Sequence, residues 1–171
     1  MCLMNISPVF LRRSIRKYLP RPVEEEKIEI LLRAAMAAPS AHNQQPWAVV
    51  VIDDRKILDA IPGFHPYSKM LLTAPLAFLV CGTRDNLKAE MFWEQDCAAA
   101  VENVLVEATR QELGSCWMGL HPHEGLKAGM RQLLNIPENL VPFALIALGY
   151  SEEEKKPSQR YDPSRVFRNA F

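Results

Sequence analysis

The chain has 171 residues, of which 49% are hydrophobic and 23% charged, and its 20 Lys and Arg are balanced by 20 Asp and Glu. A single domain of this size buries roughly 70% of its unfolded surface and needs no disulfide staples. The composition excludes a disordered chain, and the zero net charge argues against a nucleic-acid binder that works by bulk electrostatics.

Membrane and secretion readings fail as well. Every apolar stretch is interrupted by Pro, Gly or a charge well short of about 18 residues. Arg12 arrives too early for the apolar region of a signal peptide. Cys2, Cys81, Cys97 and Cys116 form no C-x-x-C pair, so they read as reduced thiols, most of them inside apolar runs. The expectation is one cytoplasmic domain over residues 1–171, with no nucleic-acid or membrane partner.

In chain order, Ser7-Pro8 opens a short helix: a capping hydroxyl precedes Pro at the first helical position. That helix is expected to run into Arg12-Arg13-Ser14-Ile15-Arg16-Lys17. A second helix is predicted over about Val23–Ala38. Glu24, Glu25 and Glu26 complement the dipole in its first turn, Ile28, Leu31, Leu32 and Ala35 follow helical spacing, and Pro39 stops it. Apolar runs at Ala48–Ile52, Leu76–Cys81 and Phe143–Leu148 predict strands covered on both faces, and Ser115–Leu120 predicts a weaker fourth. The longest helix is expected over Leu87–Leu113. Its apolar stripe runs from Trp93 and Cys97 through Ala100, Val101, Val104 and Leu105 to Ala108, and Gly114 is placed to end it. Gly125–Leu134 predicts a further helix, followed by Asn135 and Pro137.

Helices around a small sheet make the class α/β or α+β. The tail, residues 151–171, is charged and Pro-interrupted, yet it carries Tyr161, Val166, Phe167 and Phe171. These predict an arm that docks on a surface such as that of a second subunit; a disordered tail is the alternative.

Three segments carry chemistry. On a helix, Arg12 and Arg16 would share one face and Arg13 and Lys17 the next, and like charges at that spacing repel unless an anion neutralises them. With Ser14, this cluster suits a phosphate dianion; a solvated basic face is the plainer reading. Pro39-Ser40-Ala41-His42-Asn43-Gln44-Gln45-Pro46-Trp47 offers uncharged donors and acceptors that suit the edge of a flat heteroaromatic ring. It also reads as a turn loop anchored by Trp47. In Gly114–Leu120, Gly119 would let a flat ligand approach the backbone closely, against the alternative of an ordinary buried strand. Arg160, Arg165 and Arg168 either add to an anion site or keep the tail solvated. Rossmann, P-loop and nucleophile-elbow signatures are missing. His121-Pro-His123 has no ligand cluster beside it to make a metal site, and Cys116 lacks an obvious base.

In this order the segments resemble the nitroreductase family of FMN-dependent oxidoreductases. The resemblance runs from about Arg12 to the C-terminus. It rests on Arg12-Arg13-Ser14-Ile15-Arg16, Pro39-Ser40-x-x-Asn43-x-Gln45-Pro46-Trp47, Gly114-Ser115-x-Trp117-x-Gly119-Leu120 and Arg160-Tyr161-Asp162-Pro163-x-Arg165-Val166. It implies a nitroreductase-like α+β fold, a central, mostly antiparallel sheet enclosed by helices, in an intertwined homodimer with FMN at the subunit interface. It assigns Arg12, Arg13 and Ser14 to the FMN phosphate, helped by a tail arginine, Arg160 in preference to Arg165. Arg16 falls near the pyrimidine edge, where a fixed cation favours the reduced flavin. Pro39, Ser40, Asn43 and Gln45 line the ring, partly from the partner subunit, and Met118, Gly119 and Leu120 lie near it. The helix around Val101 becomes the dimer seam, and the tail an arm over the partner.

The reaction so implied needs no catalytic side chain. NADH or NADPH gives hydride to FMN, and a nitroaromatic, quinone, flavin or similar flat acceptor then takes two electrons in ping-pong order. Longer relatives carry helical insertions where this chain has only a spare segment between Pro62 and Thr73. Other readings use the same residues: a flavin-binding or sensing protein without useful turnover, a specialised flavin reaction such as reductive dehalogenation, or an anion-binding or protein-interaction domain with no flavin.

Overall fold

The computed structural model describes residues 7–171; Cys2 lies outside the described residues. Helix α1 (Pro8–Leu11) begins on Pro8, whose missing N–H costs nothing at a helix start, but Ser7 makes no side-chain cap. It lasts one turn. Arg12 leaves helical geometry at φ −56° and ψ 120°, and Ser14 then bridges Ser115 in parallel. This corrects the expected helix through Lys17, and with it the shared faces of Arg12 with Arg16 and Arg13 with Lys17. The reason is competition: repelling cations weaken a helix there, while Ile15, buried in the core, donates its N–H to the Ser115 carbonyl at 2.9 Å.

Helix α2 (Glu25–Met36) buries Ile28, Leu31 and Ala35 and keeps Glu25 and Glu26 in its first turn, with Glu24 at the cap. Strand β1 (Trp47–Ile52) follows. Helix α3 (Arg55–Ala60), which the sequence reading lacks, is capped by Asp54, whose carboxylate accepts from the Lys56 N–H at 2.7 Å. After strand β2 (Leu76–Thr83), helix α4 (Trp93–Arg110) is shorter than expected at both ends, and Glu90–Phe92 form a tight turn before it. Glu112, left-handed at φ 62°, ends it, with the Leu113 N–H donating to the Ala108 carbonyl at 2.8 Å. Gly114 is therefore not the stop signal but the first residue of strand β3 (Gly114–Gly119). Helix α5 (Glu124–Leu134) closes on left-handed Asn135, and strand β4 (Leu140–Gly149) completes the set.

The four strands form one antiparallel sheet in the order β1-β2-β4-β3. β4 extends past the predicted Phe143 start because it tolerates Pro142. A register shift at Val80/Cys81, opposite that proline, absorbs the N–H that Pro cannot supply. Alternation sorts each strand onto two covered faces. Leu76, Phe78 and Val80 pack beneath α2 and α4, while Ala77, Leu79 and Cys81 face Leu58, Ile61, Leu71 and Met130. Two buried faces account for the unbroken apolar runs, and the class is α+β.

Val101 is fully buried against its own sheet. Cys81, Cys97 and Cys116 are free and buried, and burial pushes all three thiols up, as for inert core residues. The tail follows the N-terminal segment through the Ser158 N–H to the Phe10 carbonyl, at 2.8 Å. Beyond that point Tyr161, Val166, Phe167 and Phe171 are exposed. Among the described residues, no helix is long and apolar enough to cross a membrane.

Candidate functional site

The N-terminal segment follows the outer edge of β3 only as far as Ser115. The rest of that edge, Cys116 to Gly119, pairs with no strand among the described residues. A cleft of about 880 Å³ lies there, lined by Arg16 and Lys17, by Trp117, Met118 and Gly119, and by His65, Tyr67 and Lys69 from the segment before β2.

Its charge is lopsided. Arg16, Lys17 and Lys69 line it against Glu152. The Arg16 guanidinium makes no ion pair among the described residues; Glu153 is held instead by the Arg16 backbone N–H, at 2.5 Å. That carboxyl sits below the usual range chiefly because of this hydrogen bond. A permanent cation beside an open strand edge attracts an electron-rich ligand edge. At Gly119 an added Cβ would meet nothing within 4 Å, so a flat group can lie against the backbone.

Of the residues singled out from the sequence, this cleft unites Arg16, Met118 and Gly119. Leu120 adjoins them, but its side chain is fully buried in the core. Arg12 turns to helix α4, where it pairs with Glu102 at 3.6 Å. Arg13 donates to the Lys156 carbonyl at 2.5 Å, and the Ser14 carbonyl accepts from Lys155 at 2.6 Å. The three arginines thus do not converge on one point within a single chain. Arg165 pairs with Asp162 at 3.2 Å, Arg160 is exposed, and neither lines the cleft.

The Pro39–Pro46 loop lies at the opposite edge of the sheet, leading into β1. Three strand spacings of about 4.8 Å put roughly 14 Å between the β1 and β3 edges. His42, Asn43 and Gln45 are all left-handed, at φ 52°, 53° and 47°, a concentration of strain typical of functional loops. Within the loop, the Gln45 N–H donates to Ser40 Oγ at 3.0 Å and Gln45 Nε2 to Asn43 Oδ1 at 2.8 Å. Buried Asp96 of α4 holds it from below, accepting from the Ala41 N–H at 2.9 Å and from Gln44 Nε2 at 2.7 Å.

Asp96 escapes sequence reading because a lone carboxylate in a helix looks like a solvated one. His65 escapes because its partner is remote in the chain. It is 1% exposed, and its Nε2 meets the Gly119 carbonyl at 3.3 Å. Desolvation lowers its pKa and favours the neutral ring. The segment from Pro62 to Thr73 is accordingly not spare: it supplies Lys69, Tyr67 and His65 as one wall of the cleft.

The Nitroreductase family model matches residues 10–64 and 64–150. A protein of Methanothermobacter thermautotrophicus, provisionally named NADH dehydrogenase/NAD(P)H nitroreductase, is 43% identical over 155 residues, covering 91% of this chain and 81% of its own. A Clostridium acetobutylicum structure, provisionally named an NADH oxidase, superposes with a TM-score of 0.92 at 42% identity, covering 96% of this chain and 99% of that one. An FMN-dependent nitroreductase of Clostridium difficile superposes at 0.89 with 29% identity, over 96% of this chain and 99% of that one. Match, identity and fold agree with the open cationic cleft, and the chain belongs to the nitroreductase family.

Proposed function

We propose that the protein is an FMN-dependent NAD(P)H oxidoreductase and that the cleft beside β3 is one half of its FMN site. The observation that carries this is Arg16, a cation without an ion pair among the described residues, in the same cleft as the open space at Gly119. The residues fit the group: the cleft volume, about 880 Å³, falls within the roughly 300–1,000 Å³ of small-molecule sites. The names of the archaeal relative and the C. difficile enzyme supply the donor and the cofactor.

When bound, FMN supplies two-electron chemistry, from NADH or NADPH to a quinone, nitroaromatic, flavin or similar flat acceptor in ping-pong order. The chain binds and orients. Arg16 would hold the negative charge of the reduced flavin, and Met118, Gly119 and the Leu120 backbone would line its ring. Arg12, Arg13 and Ser14 serve the phosphate, with Arg160 or Arg165 brought in by the arm.

A second copy completes the site. The strained loop with Pro39, Ser40, Asn43 and Gln45 is roughly 14 Å from β3 across its own sheet, so it serves the partner's cleft. Exposed Phe167 and Phe171, with ring centroids 4.6 Å apart, give the arm an apolar contact for that partner. The reading is of a single domain acting in the cytoplasm, where nicotinamide is kept reduced and buried thiols stay free.

A visible spectrum before and after anaerobic NADH or NADPH tests this. Flavin bands that bleach are expected; a colourless protein that takes up no added FMN rejects the reading. Arg16→Ala should keep its fold, having no ion pair to lose, but should bleach more slowly. Light scattering should give twice the 19.4 kDa chain mass.

A further inference from the structure

We propose that Tyr67 selects the electron acceptor, its ring serving as the platform for a flat, uncharged aromatic acceptor of the quinone class; this rests on the oxidoreductase reading above. Two cavities meet at this residue. The cleft and a neighbouring hollow of about 610 Å³ share Pro66, Tyr67 and Gly119. The hollow adds Phe64, His121, His123 and Leu126 and, among the described residues, is lined by no Lys, Arg, Asp or Glu. A ligand spanning the junction therefore meets ring faces and aliphatic carbon on that side, surroundings suited to a conjugated ring without fixed charge.

Within that lining, Tyr67 combines exposure with a fixed base. Its side chain is 79% exposed, so it adds little to the core. Its backbone N–H, however, donates to His65 Nδ1 at 3.3 Å. The Ser68 N–H and hydroxyl both donate to the His65 carbonyl, at 3.1 and 2.8 Å, and His65 Nε2 reaches the Gly119 carbonyl at 3.3 Å. His65 and Ser68 are both buried. Buried polar groups cost stability unless hydrogen-bonded, and here their bonds fasten the turn under Tyr67 to the end of β3. The two rings meet at 84° with centroids 6.5 Å apart. An exposed ring on a rigid base binds without the entropy of ordering a loop. His65 is the positioning residue of this pair.

The test compares two acceptors with the FMN-loaded enzyme: menadione, a flat uncharged quinone, and ferricyanide, an octahedral anion with no ring face. Menadione binding to the oxidised protein is measured separately by equilibrium dialysis, without reductant. Tyr67→Ala should weaken that binding about three- to tenfold, the scale of one lost aromatic pair. The KM for menadione should rise in step, and the menadione-to-ferricyanide turnover ratio should fall. Tyr67→Phe should keep the parental values. His65→Leu should reproduce the KM rise, and His65→Gln, whose amide can still donate to the Gly119 carbonyl, should reverse it. Parental menadione affinity in Tyr67→Ala overturns the proposal, while NADH-dependent bleaching leaves the flavin reading standing. A protein that neither holds FMN nor bleaches fails that reading instead, and the dialysis still decides Tyr67.

Discussion

Strand β3 carries a glycine at each end, and their surroundings differ. A Cβ on Gly114 would lie 2.8 Å from Ile15 Cγ2, whereas one on Gly119 would meet nothing within 4 Å. At the first end the N-terminal segment is packed and hydrogen-bonded against the strand; at the second it has turned away and the cleft opens. One glycine makes room for the protein itself, the other for something the protein holds. The same residue type thus serves packing and binding five positions apart, and substitution separates the two.

The largest effect on the fold belongs to Gly114→Ala. Ile15 is buried and the new methyl overlaps its side chain, so the variant should lose about 1–3 kcal/mol, as overpacked cores do. Chemical denaturation reads this directly, and an unchanged midpoint would mean that Ile15 is free to move aside. Gly119→Ala reverses the pattern. Its stability should stay within about 0.5 kcal/mol of the parent, since nothing is displaced. Its FMN affinity should fall about tenfold, the cost of one overpacked methyl at a ligand face. Fluorescence titration of released flavin gives that number, and a variant holding FMN as tightly as the parent would return Gly119 to the status of an ordinary strand residue.

The contrast also marks what was legible in the sequence. Strands β1, β2 and β4 announce themselves because both faces of the sheet are covered, which leaves continuous apolar runs. The Arg12–Lys17 segment misleads because its helical spacing is real but loses to a sheet edge that only the folded chain provides. Within the site, Arg16, Met118 and Gly119 were readable as one ligand's surroundings and do share a cleft. Tyr67 and His65 were not, because their value lies in contacts with Gly119 more than fifty positions away. The Pro39–Pro46 loop shows its polar character in sequence, but not its strain or its support by Asp96.

The smallest expected effect, a pH dependence, joins the open end of β3 to its wall. His65 has a folded pKa below its ordinary 6.5, chiefly through burial and further through His123, against hydrogen bonds that raise it. Below that value the unfolded chain binds more protons than the folded one, so stability rises with pH and is lost as pH falls through this range. Between about pH 7.5 and about pH 5.5 the parent should lose a few degrees of Tm more than His65→Gln, whose amide does not titrate there. Gly114→Ala should keep the parental slope, because Ile15 packing carries no proton. A parent and a His65→Gln variant with parallel pH profiles would place the acid sensitivity elsewhere. His65 would then hold Gly119 at no pH-dependent cost, and the wall of the cleft would be as firm in weak acid as at neutrality.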